Sequence, residues 1–464
     1  MILVLNHRQQ LSGNSLKYFL FILSFSFLFS CSTSRKSTRV LNPVRTKPTT
    51  NATKKERPKV DTVQWNIVDG EKYKPITSNN IIAINPLLKP INKISLLIPF
   101  KSTNDPEKLS RSEKKFSHYY AGSLIALEEL EALDINIQVN VFDTERNVTK
   151  VNRLLQNVDV RNSDVIIGPY ETANLKKVAE WGKNNNIPVI SPWRSSSNVT
   201  ENNLYYYQMR PLIEQYFEAI LKDALNNYNP SQIYIINQEN NSDDTRVRAI
   251  HRMYESMNRG KITTPLNEYM IVTDSIKNSD FMMFDSLFMN PSGVALIIPD
   301  YSSKDARYVY SLIRKINAEI KDQEIEIYGM PTLINAQRLD LEFFRSLNLK
   351  TVDFKHLNKA SPLVKNFASI YFEKFGHLPN ADSYHGYDTI VFLANISQSV
   401  KNVNNSEMTI NLPLLSMGVN FRKYNKNRLT NSHFPQYHPG DFMVNTDLKL
   451  IEYTDNEFKV KSIK

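Results

Sequence analysis

The chain has 464 residues, 41% of them hydrophobic, and a single cysteine. That length supports two or three domains with a large core, and one cysteine excludes an intramolecular disulfide framework. The formal net charge of +10 is not a nucleic-acid signature, because the excess sits at one end. Residues 31–60 hold Arg35, Lys36, Arg39, Arg45, Lys47, Lys54, Lys55, Arg57 and Lys59 against Glu56 alone, Arg8 and Lys17 precede them, and the rest of the chain is balanced. A neutral body makes nucleic acid an unsuitable partner.

The first element is the apolar run YFLFILSFSFLFS at residues 18–30, preceded by His7, Arg8 and Lys17. It is too short to span a bilayer as a helix, which takes about 20 residues. A basic start, a short apolar centre and a small residue before the break predict a secretory signal over residues 1–30. Leu28-Phe29-Ser30-Cys31 resembles the bacterial lipobox, whose cysteine is acylated on sulfur and becomes the new N-terminus. The resemblance implies lipidation at Cys31 and attachment to a membrane through the N-terminal lipid. Residues 31–90 read as a basic, lipid-proximal tether. Pro43, Pro48 and Pro58 stand there among Ser, Thr and Lys, with too little apolar surface to fold alone. Val63, Trp65 and Ile67 alternate with polar residues, which predicts one extended strand docked on the body. The basic arm suits an anionic lipid surface or wall polymer, or is simply a solvated tether.

From residue 94 a regular rhythm begins. ISLLIPF (94–100) is a buried strand, and Phe116, Tyr120, Leu124 and Leu127 mark a helix over 116–133. IQVNVFD (137–143) is a strand, 148–158 a helix, DVIIGP (164–169) a strand, 172–183 a helix and IPVISP (187–192) a strand. After Arg210-Pro211 the rhythm restarts. A helix at 212–226 leads to QIYIINQ (232–238), a helix at 243–257, a strand near 268–272, VALIIPD (294–300), a helix at 304–318 and EIEIYGM (324–330). Strands alternating with helices through short links imply parallel sheets covered on both faces. Further helices are expected at 362–375 and 383–396, and irregular strands from 402. The division expected is 91–210 for the first part of lobe 1, 211–335 for lobe 2, and 336–464 for a return to lobe 1 plus a C-terminal segment.

The chemistry of common enzymes is missing. No two of the twelve glycines are closer than ten residues, so neither a dinucleotide fingerprint nor a Walker loop exists. No cofactor is implied. The body has no cysteine for thiolate chemistry and no Gly-x-Ser-x-Gly elbow. His433 and His438 do not make a helical metal pair. Asp143 and Asp164 flank strands and read as caps, and His385, beside Tyr384 and Tyr387, reads as a helix-face residue. No catalytic or metal-binding residue is assigned, and recognition rather than catalysis is expected. Trp193 and Arg194 beside a serine run read either as a stacking-plus-anion site or as a cover for a hinge.

ISLLIPF, FSHYYAGSLIALEEL, VFDTE, DVIIGPYE, IPVISPWRSSSNVT, LYYYQMRP, QIYIINQ, VALIIPDYSSKDARYVYSLIRK and DSYHGYDTIVFLA, in that order, resemble the type I periplasmic binding protein family, the leucine/isoleucine/valine receptors. The resemblance covers roughly residues 92–400. It implies a two-lobed α/β fold, parallel sheets flanked by helices, and a small ligand held in the interlobe cleft. Carried over by position, the first-lobe ligand contacts are Tyr170, Glu171, Ser191, Trp193, Ser195 and Ser196. The second-lobe contacts are Gln238, Tyr301 and Thr332, with Glu239, Asn240 and Ser302 beside them. The family's serine in the first loop is absent, and the acid expected after EIEIYGM is replaced by Pro331 and Thr332, which argues against a free amino acid. Two functions follow from the resemblance. One is a lipid-anchored solute receptor for an ABC permease. The other is a regulator or scaffold of cell-wall synthesis, partnered with a synthase, like the lipoprotein activators of penicillin-binding proteins. Ser32 after the cysteine, in place of the Asp that resembles an inner-membrane retention signal, points to the outer membrane of a Gram-negative bacterium, facing the periplasm.

Overall fold

The computed structural model describes residues 86–100, 110–238, 245–258, 264–271, 276, 282–288, 293–300, 306–320, 324–333, 341–405, 411–424, 441–455, 457–461 and 463. The predicted signal, Cys31, the tether and the strand at Val63, Trp65 and Ile67 lie outside the described residues, as do His433 and His438.

The first sheet is built by β1 (Lys93–Ile98), β2 (Gln138–Asp143), β3 (Val165–Ile167), β4 (Val189–Ser191) and β5 (Tyr206–Gln208). Between them run α1 (Arg111–Ala132), α2 (Val148–Leu154), α3 (Val158–Arg161) and α4 (Thr172–Asn185). After α5 (Ile213–Asn227) the second sheet begins with β6 (Ile233–Gln238), α6 (Thr245–Asn258), β7 (Asn267–Ile271), α7 (Asp285–Phe288), β8 (Val294–Ile298), α8 (Ala306–Glu319), β9 (Ile325–Gly329), α9 (Leu341–Ser346) and β10 (Leu349–Asp353). The chain then makes α10 (Pro362–Phe375), α11 (Ala381–Asn405), β11 (Phe421–Tyr424), β12 (Phe442–Asn445), β13 (Lys449–Thr454) and β14 (Glu457–Lys461). The strand orders are β11-β12-β5-β4-β3-β1-β2 and β14-β13-β10-β9-β8-β6-β7. Both sheets are parallel except where β11 meets β12, β10 meets β13 and β13 meets β14. This is the two-lobed α/β architecture that the resemblance implies.

Two expectations are corrected. The helix expected over 148–158 is broken in two, because the Asn157 side chain accepts from Asp159 N at 2.8 Å and starts a new helix. The return to the first lobe does not occupy 336–464 as one block. β10 extends the second sheet by pairing with β9 (Leu349↔Ile327), and β13 pairs with β10 (Val352↔Leu450). Only α10, α11, β11 and β12 rejoin the first lobe, so the chain crosses between lobes three times, at residues 209–212, 354–361 and 446–448.

Strand alternation supplies both faces of each sheet. From β1, Ile94, Leu96 and Ile98 join a cluster with Ala126 of α1 and Ile390 of α11. Leu97 joins Val151 of α2 and Leu175 of α4 on the other face. The first cluster runs on into the second lobe through Ile233, Ile297 and Val352, and the far face of the second sheet packs on Leu312 and Ile316 of α8. The α1 N-terminus is set by a capping box, in which Glu113 N donates to Ser110 Oγ at 3.3 Å and Ser110 N to Glu113 Oε2 at 2.7 Å.

Helices α1 and α11 cross at two glycines. A Cβ on Gly122 would sit 1.8 Å from Ser383 O, and one on Gly386 would sit 1.9 Å from Tyr119 O. Neither obstacle can move without displacing a helix backbone. Gly386→Ala is therefore expected to destabilise the protein by about 1–3 kcal/mol or more through overpacking. Thermal or denaturant unfolding checks this, and an unchanged midpoint would show that the helices separate freely.

Candidate functional site

The candidate residues of the first lobe lie at the carboxyl ends of β3, β4 and β5. Gly168 follows β3 with φ +87, and a Cβ there would meet Leu97 O at 2.4 Å and the Trp193 ring at 3.2 Å. Glycine is thus required for the 168–171 loop to lie on Trp193. Trp193 is only 4% exposed. Its ring packs edge-on against Phe116, Tyr119 and Tyr170 at centroid distances of 5.3, 4.9 and 6.2 Å. Its indole N–H has no hydrogen-bond partner among the described residues. The Arg194 guanidinium lies 4.2 Å from the Tyr170 ring centroid, and its Nε donates to Tyr170 O at 2.7 Å. Arg210 Nη1 reaches Trp193 O at 3.4 Å.

The serines are tied to their own lobe. Ser195 Oγ donates to Pro211 O at 2.6 Å, and Ser196 N donates to Gln208 Oε1 at 3.0 Å while its hydroxyl accepts from Asn198 N at 3.3 Å. Ser191 is fully buried, with its hydroxyl toward Tyr206 but outside hydrogen-bonding geometry. Burial pushes the Tyr206 phenol above its ordinary range, against the weaker opposing influence of Ser191 and Arg194. Glu171 pairs with Arg146 at 3.4 Å. Arg146 and its neighbour Glu145 hold left-handed backbone, φ 57 and 49, at the end of β2.

In the second lobe Gln238 closes β6 and Thr332 follows β9. Thr332 Oγ1 donates to Asp300 O at 3.2 Å, and buried Asp300 accepts from Arg246 Nη1 at 2.9 Å. The Tyr308 hydroxyl lies toward Gln238 without a hydrogen bond, and burial, then the Asp300 charge, push its phenol upward. The structure thus gathers Gln238 and Thr332 with Arg246, Asp300 and Tyr308. Tyr301, Glu239, Asn240 and Ser302 lie outside the described residues. Asp300, Arg246, Tyr308 and Arg210 were not singled out from the sequence as site residues. Asp300 ends the phrase VALIIPD and Arg210 the phrase QMR, so position at a strand's carboxyl end is the signal that would have found them.

Between the clusters lies the hinge. Tyr216 OH donates to Asp353 Oδ1 at 3.5 Å, and Phe354 N to the same atom at 2.8 Å. Burial raises the Asp353 carboxyl, and Lys355, these backbone bonds and Arg210 oppose it. Burial and then the Arg210 charge bring Lys355 down to about 7, with Asp353 opposing. His385 is held well below its usual value by burial and then by Lys355, Lys115 and Arg210, so it is neutral. Asp388 is raised by burial, yet it accepts from Leu415 N (2.6 Å), Ser416 N (3.0 Å), Met417 N (3.1 Å) and Ser416 Oγ (2.6 Å). Four such donors require an ionised acceptor, and they oppose the shift. The sequence reading of Asp143 and Asp164 as caps agrees with the geometry. Asp143 Oδ1 accepts from Glu145 N, and Asp164 Oδ2 from Asn92 N and Lys93 N. A depression of about 280 Å³ lined by Gln156, Arg161, Asn162, Asn185 and Ile187 lies at the amino ends of β3 and β4, away from these loops. Among the described residues no group of three or more His, Cys, Asp or Glu is placed to hold a metal, and no helix is long and apolar enough to cross a membrane.

The family model described as the receptor family ligand binding region matches residues 125–446. The chain belongs to that family. No curated protein sequence matches it. Among solved structures, a putative branched-chain amino acid ABC transporter from Rhodospirillum rubrum is similar at 11% identity and a TM-score of 0.53, over 80% of this chain and 100% of that one. Full-length LpoA from Haemophilus influenzae is similar at 12% identity and a TM-score of 0.50, over 80% of this chain and 59% of that one. At these identities the likeness is one of fold, and that fold is the type I periplasmic binding protein architecture.

The depressed Lys355 value has a consequence for stability. Below pH 7 the amine is protonated in folded and unfolded chains alike. Between about 7 and its ordinary 10.5, the unfolded chain binds the extra proton, so this group's contribution to stability rises with pH across that window. Lys355→Met should abolish this increment. Melting midpoints of both proteins from pH 6 to 10 check it, and parallel curves would show that Lys355 keeps an ordinary value.

Proposed function

We propose that this chain is a lipid-anchored cell-envelope binding protein of the periplasmic solute-receptor type, which takes a small ligand between its lobes on behalf of an ABC permease. The observation that carries the reading is the placement of polar side chains at the carboxyl strand ends of both sheets, with three crossings between them. Open α/β sheets bind ligands at that edge. The site residues proposed are Tyr170, Glu171, Ser191, Trp193, Ser195 and Ser196 on one lobe and Gln238, Tyr301 and Thr332 on the other. The role proposed is recognition, and the Ser195 hydroxyl is spent on a backbone carbonyl.

A second reading, a regulator or scaffold of cell-wall synthesis, is favoured by one feature. Ser195, Ser196, Arg194 and Glu171 all engage partners in their own lobe, as the residues of a self-contained docking surface would. A melting screen of the full chain against amino acids, short peptides, sugars and wall fragments separates the readings. A ligand at 100 times its dissociation constant stabilises the fold by about 2.7 kcal/mol. A shift supports the receptor, and a flat screen the scaffold. Leucine, isoleucine and valine are expected to give no shift, since Pro331 and Thr332 replace the expected acid and Glu171 already pairs with Arg146. A clear shift with any of the three overturns that expectation.

Anchoring is proposed through a lipid on Cys31, in the outer membrane and facing the periplasm. Acyl chains supply the membrane affinity that a polar tether lacks. Cys31→Ala should give a soluble or uncleaved protein. Mass spectrometry that finds an unmodified mature N-terminus elsewhere would end the idea.

A further inference from the structure

Among the described residues the charges at the carboxyl strand ends do not balance, and, given the receptor reading, that imbalance names a ligand class. Each described carboxylate there is already matched. Glu171 faces Arg146 at 3.4 Å, and Asp300 faces Arg246 at 2.9 Å. Asp353 accepts from Phe354 N at 2.8 Å and from Tyr216 OH at 3.5 Å, and it feels the Lys355 charge and, more weakly, that of Arg210. The cations are not all matched. Lys115 reaches Asp382 at 3.8 Å, but among the described residues neither Arg194 nor Arg210 has a carboxylate within 4.0 Å.

Both arginines are held in place. Arg194 spends its Nε on Tyr170 O, and its plane rests on the Tyr170 ring. Its two amino groups have no partner among the described residues. Arg210 is exposed and leans on Trp193 O. The anchoring carbonyls belong to the loops after β3 and β4, which are adjacent strands. Between them stands the Trp193 side chain, 4% exposed, with an unpartnered N–H. A fixed guanidinium fork suits the two oxygens of a carboxylate or phosphate, and an unpaired buried donor favours an acceptor.

We propose that the ligand is a small anion, bearing a carboxylate or phosphate group without a compensating ammonium, and that Arg194 and Arg210 hold it across the β3 and β4 loops. A zwitterionic amino acid would present its ammonium to a site whose described acids are all occupied.

The test uses the full chain in detergent. Succinate, citrate, benzoate and inorganic phosphate are the anionic probes, with leucine, lysine and glucose as controls and sodium chloride at matched ionic strength. At least one anion is expected to raise the melting midpoint beyond the salt control. By calorimetric titration its affinity should fall roughly 10- to 100-fold in Arg194→Gln and in Arg210→Gln, as expected for loss of one charge-assisted hydrogen bond. Arg194→Lys should recover only part, because an ammonium cannot make the fork. The melting midpoint of unliganded Arg210→Gln should match the parent, since that side chain is exposed, whereas Arg194→Gln also gives up the Nε bond to Tyr170 O and is judged by its ligand affinity. No anion-specific shift, or a shift that both Gln variants keep, overturns the proposal. A shift with leucine or glucose alone overturns it and leaves the receptor reading standing. No shift with any probe counts against both.

Discussion

The two lobes depend on one buried amide. Asn445, fully buried at the end of β12, uses its whole hydrogen-bonding capacity. Its Nδ2 donates to Met209 O at 3.1 Å and Gly418 O at 2.8 Å, and its Oδ1 accepts from Asn420 N at 2.9 Å and Asp447 N at 3.0 Å. Met209 begins the first crossing and Asp447 lies in the third. The second is joined through Gly418 N to Phe354 O at 3.2 Å and His356 N to Ser416 O at 2.7 Å. Asp388 then pins residues 415–417 to α11. A satisfied polar network of this kind specifies one arrangement, because any other leaves several buried groups unpaired.

The network sits in apolar surroundings. Met209, Phe354, Leu415 and Met417 belong to the cluster that joins both sheets, so the crossings are packed pivots rather than loose linkers. The same packing sets the floor of the first-lobe site. The glycine crossing of α1 and α11 brings Tyr119 to 5.6 Å from His385, and Tyr119 in turn supports Trp193. Trp193 then fixes where the 168–171 loop lies. One chain of contacts therefore runs from a helix crossing, through three rings, to the loops that carry Arg194 and Arg210.

The lobes were legible because buried parallel strands announce themselves as apolar runs. DVIIGP and VALIIPD each form a strand and end at the edge where candidate residues cluster. Tyr170, Trp193, Gln238 and Thr332 came from the family resemblance, and they do lie at the carboxyl ends of strands. What they touch was not legible. Nothing in the sequence shows that Ser195 bonds Pro211 O, or that Thr332 bonds Asp300 O, since those partners are set by how loops fold over neighbouring strands. The hinge was hidden for another reason. Asp388 is a single polar residue in a segment read as a helix and Asn445 one in a segment read as irregular strands, and one buried polar side chain leaves no periodic trace. The return of β13 and β14 was missed because antiparallel additions carry no βαβ rhythm, and β10, though parallel to β9, follows a helix of only 6 residues. Gly122 and Gly386 showed only as scarcity, which excluded nucleotide loops but did not reveal a helix contact.

Positioning alone does not make the protein a switch. A ligand shifts an equilibrium between lobe arrangements only by its differential affinity for them. An anion that met Arg194 and Arg210 alone would bind one lobe and leave that equilibrium unchanged. Closure requires contacts from the second lobe that exist only when the lobes approach. Tyr308 is suited to this, because its buried hydroxyl has no partner among the described residues and stands with Gln238 in the second-lobe cluster. Arg246 and Asp300 are not suited, because they already neutralise each other at 2.9 Å. Among the described residues the second-lobe cluster therefore offers neutral hydrogen-bonding groups beside an already paired Arg246 and Asp300. On the anion proposal, that division fits a ligand with one anionic end and one polar, uncharged end.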